Sequence, residues 1–194
     1  MKKTSFMLIT TEKRIRKFGE LRMKRLLPDT NFYGILAKDP ERLQVVGSIK
    51  ENRILVIYGF KIIRDELRDV PKKIKIGGKN LRIDLLSLYD ELIGKHNLEL
   101  TGNIIKIADD YYKAYREFGG SKTKNEIISD FIIVSCASMD NLDVVVSNDE
   151  RSMLTENAIR AYNLINSVVS KKTPKFISYE KFKNVLGGEA NELV

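Results

Sequence analysis

Four carboxylates stand where this chain could do chemistry. Asp29 ends the apolar run Leu26-Leu27-Pro28, and Asp149 follows Val144-Val145-Val146 by two residues, Ser147 and Asn148. Asp130 lies inside the apolar stretch 125–139, and Glu66 lies in the amphipathic stretch 61–70. Carboxylates drawn together repel one another, and their oxygens suit a hard divalent cation. Singly, each has a plainer use. Asp29 and Asp149 suit helix caps, Asp130 a salt bridge to Lys or Arg, and Glu66 a boundary position reaching water.

Asp130 is the most demanding of the four. Ile127, Ile128, Phe131, Ile132, Ile133, Val134, Cys136, Ala137 and Met139 surround it, so its helix is apolar on every side and should be buried. An ionised carboxylate there is costly unless it is paired or bound to a metal. Glu126, one turn earlier on the same face, adds a like charge and favours a cation further. In 61–70, at about 100° per residue, Ile63, Leu67 and Val70 form one stripe. Glu66 lies about 60° from Ile63, at the stripe's edge, while Asp69 and Asp65 lie about 120° and 160° away. Glu66 is therefore the acid able to look inward.

The elements that must position these acids alternate strand and helix. Strands are expected at Leu26-Leu27, at 54–57, at 144–146 and at Phe176-Ile177. Helices are expected from about Asn31, over 61–70 before Pro71, over 81–93, over 104–118 before Gly119-Gly120, over 125–139, over 154–169, and from Ser178 to Leu186. The uninterrupted β-branched run 144–146 is what a buried parallel strand shows. This pattern predicts an α/β fold around a mostly parallel sheet, and in such sheets sites form at the carboxyl ends of the strands. Asp29 and Asp149 would then point at one edge.

Composition narrows the function classes. The 194 residues predict one domain with appendages, and 43% apolar content excludes wholesale disorder. One cysteine, Cys136, and one histidine, His96, exclude an internal disulfide, a cysteine-rich zinc site and the paired-histidine zinc motif. Cys136 in an apolar helix reads as inert packing. Tyr111, Tyr112 and Tyr115 read as packing more than as a base-stacking platform, and Leu85, Leu88 and Leu92 as core or dimer contact. Gly77-Gly78-Lys79 lacks the spacing of a nucleotide-binding loop. No apolar run approaches a membrane span, no secretory leader is expected at Met1-Lys2-Lys3, and a reducing cytoplasm fits the cysteine usage.

The charge is concentrated. Of the net +8, most comes from Lys2, Lys3, Lys13, Arg14, Arg16, Lys17, Arg22, Lys24 and Arg25, opposed there only by Glu12 and Glu20. Such a segment suits phosphate contacts on a polyanion, or serves only as a solvated tail. A membrane-surface role is disfavoured, because Ile15, Phe18 and Leu21 give too short an apolar stripe.

The four acids, in order, resemble those of PIN-domain nucleases. Pro28-Asp29-Thr30-Asn31 resembles the opening motif of that family, and Ile63-Arg64-Asp65-Glu66-Leu67 its second acidic position. Ile107-Ala108-Asp109-Asp110-Tyr111-Tyr112 with Ser129-Asp130-Phe131-Ile132-Ile133-Val134-Ser135-Cys136-Ala137 resembles the segment of the third acid. Asp143-Val144-Val145-Val146-Ser147-Asn148-Asp149 resembles the strand ending in the fourth, and Thr173-Pro174-Lys175-Phe176-Ile177-Ser178-Tyr179-Glu180-Lys181-Phe182 the last strand and helix. The resemblance spans about residues 26–187, including a middle helical segment like that of VapC-type toxins. Ser129 departs from the Asn that often precedes the third acid, and the basic lead lies outside the domain.

The resemblance implies a PIN-like three-layer α/β/α sandwich over 25–187, with a basic N-terminal extension over 1–24 and a tail over 188–194. It implies a metal-dependent endoribonuclease cutting single-stranded or loop RNA, in a toxin-like or RNA-processing role. The alternative is a catalytically inactive RNA-binding or scaffold protein of the same fold. Asp29, Glu66, Asp130 and Asp149 are the expected catalytic set, holding one or two Mg2+ or Mn2+ ions and positioning water. Asn31, Glu126 and Ser147 would orient ligands or water. Lys13, Arg14, Arg16, Lys17 and Arg151 would hold the RNA backbone. Expected partners are RNA, an inhibitor (antitoxin) protein for a toxin, and a second copy in a homodimer, with no membrane.

Overall fold

A computed structural model describes residues 23–187. Lys13, Arg14, Arg16 and Lys17 lie outside the described residues. Four strands form the central sheet: β1 (Lys24–Pro28), β2 (Leu55–Ile57), β7 (Val144–Val146) and β8 (Lys175–Ile177). Their order is β2-β1-β7-β8, and every pairing is parallel. Successive side chains of a strand point to opposite faces. Val144, Val145 and Val146 are all fully buried, so both faces of β7 are covered, as a parallel sheet requires.

Eight helices among the described residues do the covering: α1 (Thr30–Leu36), α2 (Arg42–Glu51), α3 (Lys61–Asp69), α4 (Leu81–Ile93), α5 (Gly102–Glu117), α6 (Lys124–Met139), α7 (Glu156–Val168) and α8 (Tyr179–Leu186). One group packs α5 against α6 and α7; another packs α4 against α1, α2 and α3, with α8 on α2. Short side chains start most of them. The Asp29 carboxylate accepts from the Phe32 N–H at α1, Asn80 caps α4, and Thr101, Thr155 and Ser178 cap α5, α7 and α8. Two small pairs complete the fold, a parallel β3 (Gly59–Phe60) with β6 (Asn97–Leu98), and an antiparallel hairpin of β4 (Lys75–Ile76) and β5 (Lys79–Asn80).

The expected helices and strands are present, with three differences. Helix α2 has no counterpart in the sequence reading, because only Val45, Val46 and Ile49 of its ten residues are buried, an apolar face too short to stand out. The two-residue strands β3 to β6 are too short to carry a periodic signal. Strand β1 begins at Lys24, which pairs with Leu55, so the boundary expected after residue 24 falls earlier. Arg25, counted among the basic residues of the N-terminal segment, is part of β1. Its guanidinium donates to the Asp140 carbonyl at 2.9 Å and lies 4.9 Å over the Tyr58 ring.

The core between α5, α6 and α7 is aromatic. Phe131 meets Tyr111, Tyr115 and Tyr162 edge-on, at 5.5 to 6.2 Å between ring centres. The Tyr111 hydroxyl donates to Asn166 Oδ1 at 2.6 Å, and Asn166 Nδ2 donates to Ser138 Oγ and Thr173 Oγ1, each at 3.0 Å. Tyr111 and Tyr115 are thus packing residues, while Tyr112 is only partly buried. Cys136 is fully buried and burial pushes its thiol well up, which makes it inert.

One buried polar atom among the described residues has no hydrogen-bond partner, the Tyr33 hydroxyl. Desolving a hydroxyl without a bond is unfavourable. Tyr33→Phe is therefore expected to stabilise the protein by about 1 kcal/mol, read as a higher urea midpoint. A lower midpoint would mean that the hydroxyl is satisfied in solution.

Candidate metal centre at the carboxyl edge of the sheet

The register of the sheet brings two acids together. Pro28 pairs with Val146, so β1 and β7 end side by side and the chain leaves both at the same edge. Asp29 and Ser147 are the next residues. The Asp29 N–H donates to the Val146 carbonyl at 3.0 Å, and the Ser147 hydroxyl donates to Asp29 Oδ2 at 2.5 Å. Ser147 Oγ in turn accepts from the Asp149 N–H at 3.0 Å. Asp29 and Asp149 are thus joined through one buried serine.

Asp29 is almost completely buried. Burial pushes its carboxyl up to about 6, against the pull of Ser147 and the Phe32 N–H, and the Asp149 charge adds to the rise. Asp130 is raised further, to about 7, again chiefly by burial. A Ser152 hydrogen bond pulls it down, while the charges of Asp149, Glu66 and Asp29 all push it up. Acids from three other segments thus lie within electrostatic reach of Asp130.

None of the four is ion-paired among the described residues. Other acids nearby are: Asp65 with Lys61 and Arg68, Asp90 with Arg64, and Asp39 with Lys183. Three of the four instead lean on hydroxyls. Thr30 donates to Glu66 Oε2, Ser147 to Asp29, and Ser152 to Asp149 Oδ2. Asp149 Oδ1 also accepts the Arg151 and Ser152 N–H groups, at 2.9 and 3.0 Å. The donor set is all oxygen and lacks balancing cations, which fits Mg2+ or Mn2+ in kind. In the side-chain arrangement present, however, no group of three or more His, Cys, Asp or Glu side chains among the described residues is placed to hold a metal ion.

Other expected residues fall on both sides of the line. Asn31 is exposed, with Nδ2 3.5 Å from Asp29 Oδ2, at the limit of hydrogen bonding. Ser147 joins the set. Arg151 is exposed, lines the same cleft, and donates its N–H to Asp149. Glu126 does not stack on Asp130 as expected. It is the third helical residue of α6, and its carboxylate accepts the Thr123 N–H at 2.8 Å in a capping box, exposed to solvent. The Thr123-x-x-Glu126 spacing carries that signal. Thr30 and Ser152 were not singled out in the sequence; Asp149-x-x-Ser152 is the kind of local side-chain turn that could have flagged the latter.

A cleft of about 1020 Å3 is lined by Asp149 with Thr30, Asn31, Asn148 and Arg151, and by Leu67, Val70, Leu81 and Leu85; Asp29, Glu66 and Asp130 are not among its lining residues.

No family model matches the chain, and no curated protein matches it in sequence. Solved structures do match in fold. The crystal structure of VapBC2 from Rickettsia felis, bound to a DNA fragment from their promoter, holds a chain similar over 79% of this one and 98% of its own, with 10% identity and a TM-score of 0.50. The structure of FitAB bound to an IR36 DNA fragment holds another, similar over 79% of this chain and 94% of its own, with 14% identity and a TM-score of 0.50. The chain has their fold, a PIN-like α/β sandwich around a central parallel sheet.

Proposed function

We propose that this chain is a metal-dependent endoribonuclease, cutting single-stranded or loop RNA in a toxin-like or RNA-processing role. One observation carries the reading: Asp29, Glu66 and Asp149 all push the half-buried Asp130 carboxyl upward, and no cationic side chain among the described residues pairs with any of the four. Asp29, Glu66, Asp130 and Asp149 would hold Mg2+ or Mn2+. When bound there, the ion supplies Lewis acidity that polarises a scissile phosphate, acidifies an attacking water and steadies the leaving oxygen.

The chain's own residues set the stage. Ser147 and the Phe32 N–H fix Asp29, and Thr30 fixes Glu66. Ser152 donates its hydroxyl to Asp149 and its N–H to the other oxygen of the same carboxylate. Asn148 Oδ1 accepts the Tyr179 N–H at 2.8 Å, which ties the loop carrying Asp149 to the start of α8. Lys13, Arg14, Arg16, Lys17 and Arg151 would hold RNA phosphates. The similar VapBC2 and FitAB structures are complexes, which supports an inhibitor (antitoxin) protein as partner.

Ser152 gives a test of how the acids are tuned. Its hydrogen bond pulls Asp130 down, so Ser152→Ala leaves that carboxyl holding its proton to higher pH. A cation must then compete with a more tightly held proton. The acid limb of the Mn2+-dependent cleavage profile is expected to move to higher pH; an unmoved limb contradicts the tuning of Asp130 by Ser152.

The direct experiment incubates the purified chain with structured and unstructured RNAs, with and without Mn2+, and maps the cut ends. Cuts confined to unpaired RNA, present only with the ion, support the reading. The hydroxyl-engaged carboxylates favour a second reading, a non-catalytic RNA-binding or scaffold protein, and absence of cleavage with retained RNA binding would select it.

A further inference from the structure

We infer that the β4–β5 hairpin is an RNA-backbone clamp at the mouth of the cleft; this rests on the reading that the chain acts on RNA. Residues 70–83 carry Lys72, Lys73, Lys75, Lys79 and Arg82 and no acid at all. All four lysines are exposed, and none is ion-paired among the described residues. Asp84, whose charge Lys79 feels, is already held bidentately by Arg42, at 2.6 and 2.8 Å. Apart from the basic N-terminal segment the chain is nearly neutral, so a patch of this density is local and unbalanced.

The hairpin is a built arm. Gly77 and Gly78 both have positive φ, at 55° and 79°, the turn that matches the twist of a tight two-residue hairpin. Its base is pinned by three bonds: Leu81 N–H to the Ile74 carbonyl at 3.0 Å, Asn80 Nδ2 to the Lys72 carbonyl at 2.5 Å, and Arg82 Nε to the Val70 carbonyl at 2.6 Å. Val70 and Leu81, where the arm joins the body, line the cleft that runs to Thr30 and Asp149. Asp149, Glu150 and Glu180 in the same lining repel a polyanion, and a basic arm on the rim offsets that repulsion. Ile74 and Ile76, 39% and 36% exposed, flank the lysines and offer apolar contact to sugars or bases, which a merely solvated loop would not need.

The test replaces Lys72, Lys73, Lys75 and Lys79 together by Gln in the full chain, with a second variant carrying Arg at all four. Binding to a fluorescein-labelled single-stranded 20-mer RNA is read by anisotropy, with EDTA present, across a salt series. Because no divalent ion is needed, the result is independent of whether the chain cleaves. The Gln variant is expected to bind on the order of 100-fold more weakly at 0.1 M salt, with the log–log salt slope reduced by about 3, and the Arg variant to bind like the parent. An unchanged slope in a Gln variant that melts like the parent overturns the clamp, as does a parent chain that fails to bind the RNA. Loss of sedimentation with phosphatidylserine vesicles, at unchanged RNA affinity, would overturn it in favour of a membrane surface. Cleavage that disappears in the parent while this slope change persists would sink the nuclease reading alone.

Discussion

Replacing Asp130 by Asn is expected to abolish Mn2+-dependent RNA cleavage, by about 1000-fold or more, while making the metal-free protein more stable at pH 8. The two effects have opposite signs because one carboxylate serves the site at the fold's expense. Its pKa is raised from 3.8 to about 7 in the folded chain. Below pH 3.8 both folded and unfolded states hold the proton, and the burial penalty is absent. Between 3.8 and about 7 the folded state keeps a proton that the unfolded state has lost, so stability falls as pH rises. Above about 7 the whole penalty is present. Asn carries no charge, so at pH 8 it should recover about 2 kcal/mol, less than the full shift because solvent reaches a half-buried group. Urea melts in EDTA at pH 5 and pH 8 check the sign. If Asp130 were the partner of a hidden cation, Asn would destabilise instead.

Phe131→Ala is expected to cost about 3–5 kcal/mol, the largest stability loss of any single change proposed for this chain. The ring is fully buried and is the hub of three edge-on aromatic contacts. Removing it leaves a cavity that Tyr111, Tyr115 and Tyr162 cannot all close. The site would suffer too, since Phe131 adjoins Asp130 and the Tyr162 hydroxyl donates to the Met153 carbonyl at 3.2 Å, beside Ser152. A chemical melt measures the loss; Phe131→Leu, which keeps most of the volume, should lose distinctly less. Equal losses for the two would point to a specific aromatic role rather than volume.

The sequence was most legible where one signal dominated. The β-branched run 144–146 foretold a strand buried on both faces, and Pro28-Asp29 foretold the strand end that the sheet register places beside Ser147. Helical phase singled out Glu66 over Asp65, and Asp65 indeed spends its charge on Lys61 and Arg68. Less was legible where two roles share one pattern. Glu126 and Asp130 are a turn apart, and spacing alone does not distinguish a stacked pair from a capping box. The short hairpin at 75–80 hid behind the charge of the N-terminal segment, because a net-charge count does not reveal a five-residue concentration. Thr30 and Ser152 could not be found by searching for acids, since each enters the site only as a hydroxyl donor to one.

Binding of Mn2+ itself is the most direct measurement. Titration by electron paramagnetic resonance, on the parent and on Asp29→Asn, Glu66→Gln, Asp130→Asn and Asp149→Asn, reads the site without any assumption about substrate. Four carboxylates sharing one cation predict saturable binding by the parent at millimolar ion or below, and at least about tenfold weaker binding for each variant. A parent that takes up no Mn2+ at millimolar levels, or variants that all bind like the parent, would contradict it.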